Sequence, residues 1–128
     1  MVNLVSLSGQ RTPSVRGRRI LVVEDEYMLA EDLREDLESQ GAEVMGPVAS
    51  VADAMDLLRS GPAPDMAILD INLGGEMAFA VADALRAGAV PFIFATGYDA
   101  QAIPAAYADV PRSEKPVEVR LVASKLIG

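Results

Sequence analysis

MAILDINLGGE, residues 66–76, runs apolar as far as Asp70 and then turns over Gly74 and Gly75. A short, nearly unbroken apolar run of this kind is how a strand covered on both faces reads. A carboxylate at the end of such a run gains nothing from burial. Asp70 is therefore either a local turn-former, the ordinary reading of a lone aspartate after a strand, or a group placed at the strand's lip for chemistry.

The neighbouring segments repeat the pattern. RILVVE (19–24) is a second apolar, β-branched run that ends in acid. Leu29, Ala30, Leu33 and Leu37 fall on one face of a helix from Tyr27 to Gln40, which Gly41 stops. Glu43–Val48 reads as a weaker strand, and Ser50 with Asp53 as the start of a helix carrying Ala54, Leu57 and Leu58. SGPAPD (60–65) is a loop. Beyond residue 76, Met77, Val81 and Leu85 form the stripe of the next helix, which Gly88 ends. VPFIFA (90–95) is the fourth strand, Val110–Glu114 a poorly patterned fifth, and a last helix starts at about Val117 with Val119, Val122, Ala123 and Leu126 inward. Five alternations of strand and helix predict an α/β fold, a parallel sheet wound on both faces. In such sheets sites form outside the carboxyl ends of the strands.

Composition narrows the chemistry. The chain has 128 residues, 51% hydrophobic and 23% charged, enough for one domain with its own core. Its net charge of −8 argues against a nucleic-acid or anionic-membrane surface. The first nineteen residues hold Arg11, Arg16, Arg18 and Arg19 and no acid, so the remainder carries −12. Residues 1–17 read as a flexible N-terminal arm ahead of a domain spanning 18–128. There is no cysteine and no histidine. That excludes disulfides, thiol nucleophiles, imidazole bases and thiolate or imidazole metal sites, leaving hard cations on oxygen. The cysteine usage fits a reducing, cytoplasmic setting. No apolar run reaches the ~18 residues of a membrane span.

The strand ends carry the functional signal. Glu24, Asp25 and Glu26 follow the first strand, Asp70 ends the third, Thr96 the fourth, and Lys115 follows the fifth. Each alone has an ordinary role: helix-start acids, a turn aspartate, a Thr-Gly turn, a Lys-Pro loop. Together they place carboxylates, a hydroxyl and an amine at one edge of the sheet. Crowded carboxylates repel by ~4 kcal/mol per pair at 4 Å and an effective dielectric near 20. A Mg²⁺ ion relieves that repulsion and takes such ligands. A carboxylate beside Mg²⁺ and an ammonium can attack phosphorus.

VVEDE (22–26), ILDINLGG (68–75), FATGY (94–98) and EKP (114–116) make the sequence resemble the receiver domain of two-component response regulators from about Arg18 to Ile127. FATGY is similar to the signature of a branch common among bacterial stand-alone and stress-response regulators of Alphaproteobacteria. The resemblance implies a five-stranded doubly wound sheet of order 2-1-3-4-5, a flavodoxin-like fold. It implies Asp70 as phosphoacceptor, with Mg²⁺ held directly by Asp25 and Asp70, through a water by Glu24, and by the backbone carbonyl of Asn72. It further implies Lys115 as the phosphoryl partner, Thr96 as the switch hydroxyl, Gly97 as the small residue that leaves the phosphoryl path open, and a cis peptide before Pro116. The partners implied are a sensor histidine kinase or phosphotransfer protein and a downstream protein target, the oligomeric state being a monomer or weak dimer.

The sequence departs from the family pattern in three ways. Arg112 stands where receivers carry the aromatic switch residue, so Tyr98, Tyr107 or a backbone shift near Thr96 has to take that role. Pro104 and Pro111 predict a short or irregular fourth helix. Val117 replaces an aromatic that often follows Lys-Pro. With the chain stopping at Gly128, the expected output is a change in protein–protein contacts. Three rivals stand beside this reading. An aspartyl-phosphate hydrolase would carry a second acid where Asn72 stands, a nucleotide-binding module would need a glycine-rich loop after the first strand, and an interaction module could work without phosphorylation.

Overall fold

Strand β1 (Arg19–Val23) lies inside a five-stranded sheet, in a computed structural model that describes residues 13–97 and 103–127. Around it run α1 (Tyr27–Ser39), β2 (Glu43–Val48), α2 (Val51–Ser60), β3 (Met66–Asp70), a hairpin of β4 (Asn72–Leu73) and β5 (Glu76–Met77), α3 (Phe79–Ala87), β6 (Phe92–Thr96), β7 (Arg112–Glu114) and α4 (Val119–Leu126). The order β2-β1-β3-β6-β7 with every pair parallel is the expected 2-1-3-4-5 topology, the hairpin being a separate two-stranded element.

Helices cover both faces, which is why the strands read as continuous apolar runs. Leu21, Val23, Ala67, Leu69, Phe92 and Phe94 point toward α2 and α3, where Val51, Ala54, Val81, Ala82 and Leu85 complete the core. Ile20, Val22, Met66, Ile68, Ile93 and Ala95 point the other way, toward Leu33 and Leu37 of α1 and Val119, Val122 and Ala123 of α4. Ser50 caps α2 as expected, its hydroxyl accepting from the Asp53 amide at 3.1 Å.

Several boundaries move. Met77 belongs to the hairpin rather than to the helix stripe, and α3 starts only at Phe79. Gly74 and Gly75, at φ +66° and +98°, supply the two left-handed positions that a two-residue type I′ hairpin requires. The fourth strand begins at Phe92, not Val90, and the last helix at Val119, not Val117. Between β6 and β7 the described residues hold a single 3₁₀ turn, Ala105–Tyr107, in keeping with the expected short or irregular helix. The segment assigned to an arm is partly packed: Val15 is fully buried against the α1–α4 side, and the Gly17 amide donates to the Gly41 carbonyl at 2.8 Å. Cis peptides precede Pro116, as expected, and Pro47, which was not. Among the described residues no helix is long and apolar enough to cross a membrane.

Candidate functional site

Parallel pairing sets the depth of each strand end. Val23 lies level with Leu69, Asp70 with Ala95, and Thr96 with Glu114. One rung further on, Glu24, Asp25, Asp70, Thr96 and Lys115 therefore surround a single crevice.

Asp70 and Glu24 are 5% and 6% exposed, which is rare for acids unless they are paired. Lys115 supplies the partner: its Nζ lies 3.0 Å from Asp70 Oδ2 and 3.0 Å from Glu24 Oε1. The second Glu24 oxygen accepts from the Glu26 amide at 3.0 Å. Asp25 is exposed beside this group, and carboxylate oxygens of Glu24, Asp25 and Asp70 lie within 4.8 Å of one another. Burial pushes the Asp70 carboxyl up to about 7; the Lys115 hydrogen bond pulls it down, and the neighbouring Glu24 charge adds to the rise. Burial opposes the charge on Lys115, but its bonds to Asp70 and Glu24 outweigh that and hold its pKa above the ordinary value. One ammonium against two buried carboxylates and a third nearby leaves an excess of negative charge on hard oxygen atoms. That donor set fits Mg²⁺.

Thr96 is buried at the end of β6. Its hydroxyl donates to the Ser113 carbonyl at a long 3.4 Å, and its own carbonyl accepts from the Lys115 amide at 2.9 Å. Glu26, Leu29, Thr96, Gly97, Glu114 and Lys115 line the cleft beside the crevice. The Asn72 side chain is engaged in the hairpin, its Oδ1 accepting from the Gly75 amide at 2.7 Å. Gly74 brings the hairpin alongside the acids: a Cβ there would stand 3.7 Å from Asp25 Oδ2.

Arg112 is exposed on β7, paired with Phe94, and its carbonyl accepts from Lys125 of α4. Tyr98 lies outside the described residues. Tyr107 is buried on the α3 side, away from the acids. Reading the sequence left two contributors unseen. Glu26 supplies its main-chain amide, which any residue type would do. The hairpin that carries Asn72 was legible as Gly74-Gly75 between two short segments, but the apolar spacing of Met77, Val81 and Leu85 suited a helix equally well.

Residues 20–111 match the response regulator receiver domain. The chain belongs to that family. It is 32% identical over 98 residues to the phyllosphere-induced regulator PhyR of Methylorubrum extorquens, covering 75% of this chain and 37% of that protein. It is 34% identical over 90 residues to the sensory transduction protein LytT of Bacillus anthracis, covering 68% of this chain and 36% of that protein. The receiver thus spans little more than a third of these relatives. Among solved structures, the solution structure of SdrG from Sphingomonas melonis Fr1 superposes with a TM-score of 0.72 at 37% identity, covering 89% of this chain and 94% of that one. The response regulator PhyR from Brucella abortus gives 0.72 at 26%, covering 94% and 50%.

Proposed function

We propose that this receiver accepts a phosphoryl group on Asp70 from a phosphohistidine of a sensor histidine kinase or phosphotransfer protein, and signals, as a stand-alone regulator, through altered protein contacts. The observation that carries this reading is the buried Asp70 carboxylate held 3.0 Å from Lys115 beside two further acids. A nucleophile for phosphoryl transfer needs little covalent help; it needs position and a surrounding positive field. The lysine supplies both.

In the reaction, an Asp70 oxygen forms the bond to phosphorus as the bond to the donor nitrogen breaks, and the imidazole, already protonated on its other ring nitrogen, leaves neutral with its partner protein. Lys115 exchanges its carboxylate contacts for a phosphoryl oxygen. The Thr96 hydroxyl gives up its weak bond to Ser113 for another phosphoryl oxygen. Asp25, Asp70 and the Asn72 backbone carbonyl, with Glu24 acting through a water, would hold Mg²⁺, which when bound supplies the charge that keeps Asp70 ionised and offsets the carboxylates. Tyr27 and Met28, 73% and 66% exposed, follow Asp25 directly and offer an apolar contact for the donor protein. These 128 residues hold no histidine, so the donor imidazole lies outside them.

Incubation with acetyl phosphate and Mg²⁺, read by intact mass, is expected to add one phosphoryl group. The gain should vanish in Asp70→Asn and in excess chelator. Incorporation that survives Asp70→Asn would overturn the assignment.

A further inference from the structure

Thr96 is the polar end of a row. Phe92, Phe94 and Thr96 alternate onto the same face of β6, and the two phenylalanines meet edge-on at 5.6 Å between ring centres. Tyr107 closes over this row from the β6–β7 connection. Its ring stacks on Phe79 at 4.9 Å and 13°, and meets Phe94 edge-on at 6.2 Å. The phenol is then tied outward: its hydroxyl donates to Asp83 Oδ1 of α3 at 2.6 Å. Arg86, one turn on, lies 5.2 Å over the ring and donates to the Ala106 carbonyl at 3.1 Å and to Asp109 at 2.6 Å. The bond to Asp83 also raises the phenol's pKa above its ordinary value, so the donor stays protonated.

A buried aromatic row thus runs from the switch hydroxyl to a surface cluster of Asp83, Arg86 and Asp109, all exposed. Close packing transmits displacement along such a row, because there is no free volume to absorb it. Drawing the Thr96 hydroxyl from Ser113 toward a phosphoryl oxygen turns the end of β6. Phe94, two residues back on the same face, has to follow, and of the rings it bears on, Phe92, Phe79 and Tyr107, only Tyr107 carries a hydroxyl tied to the surface.

We infer that Tyr107 is a positioning residue that couples Thr96 to the outer face of α3, doing from the connection what Arg112 cannot do from β7. Arg112 is exposed and outside the row, whereas Tyr107 has a rigid ring inside it and a hydroxyl fixed to the surface. This inference rests on the phosphoacceptor reading of Asp70.

The test uses the full chain with all three tyrosines replaced by 3-fluorotyrosine, followed by fluorine NMR before and after acetyl phosphate and Mg²⁺, with intact mass taken on the same samples. The signal missing from Tyr107→Phe identifies Tyr107. The expected result is a Tyr107 signal that moves by more than its linewidth in step with the gain of one phosphoryl group. A ring that serves only to fill the core keeps its signal. Phosphoryl gained with the Tyr107 signal unmoved would overturn the inference and leave the phosphoacceptor reading intact. No phosphoryl gained would overturn both, and the mass spectrum separates the two failures.

Discussion

The two ends of β6 obey different rules. At its carboxyl end, Thr96 bonds the main chain of Lys115, whose ammonium bridges Asp70 and Glu24, in a crevice made of single residues at strand ends. Along its side, Phe92 and Phe94 meet Phe79 and Tyr107 in an apolar cluster whose members come from a strand, a helix start and an irregular connection. The crevice keeps a buried carboxyl whose pKa burial pushes up to about 7. The cluster packs the same strand two residues before Thr96, through contacts that carry no charge.

Breaking the shared strand should have the largest effect. Phe94→Ala removes a fully buried ring that touches both Phe79 and Tyr107, and is expected to cost about 3–5 kcal/mol of stability in urea unfolding. A cost under about 1 kcal/mol would mean that the row does not support the crevice.

A pH series tests the crevice. The folded-state pKa of Asp70 lies near 7 and its unfolded reference is 3.8. Between those values the folded chain holds a proton that the unfolded chain has released, so this group makes stability rise as pH falls from about 7 to about 4. Melting temperatures in chelator should show that rise, opposite to the usual behaviour of a salt-bridged aspartate. Asp70→Asn should flatten it, and saturating Mg²⁺, which favours the ionised form, should suppress it.

The cluster is sharpened by a smaller change. Tyr107→Phe keeps the stack on Phe79 and loses only the bond to Asp83, an expected loss of about 1 kcal/mol in urea unfolding. Smallest of all, Arg112→Ala should change stability by no more than about 0.5 kcal/mol, because its side chain is exposed and makes no ion pair among the described residues. If Arg112→Ala proves costlier than Tyr107→Phe, the roles assigned to the two positions are reversed.

How far each region was legible follows from the same difference. Glu24, Asp25, Asp70 and Thr96 are legible because they close apolar runs, and Lys115, after a poorly patterned strand, joins them because the alternation of elements brings the strand ends to one edge. Tyr107 was legible only as one of two tyrosines able to replace the missing aromatic; its place was not, since a lone tyrosine between Pro104 and Pro111 has no period to join, and its burial depends on Phe79 and Phe94, distant in the chain. Met77 misled for the opposite reason. It fits a helical stripe locally, but two glycines with positive φ turn the chain back before the helix can begin.

By itself the sequence determined the alternation of elements, the winding of the sheet and the identity of the groups at its carboxyl edge, because buried parallel strands and their polar ends leave a one-dimensional pattern. Tertiary structure alone decided that Lys115 bridges two buried carboxylates, that Val15 packs into the body, and that an aromatic from the β6–β7 connection lies over the row ending at Thr96. Those features depend on distances between segments remote in the chain, and close packing selects such distances only once the whole fold has formed.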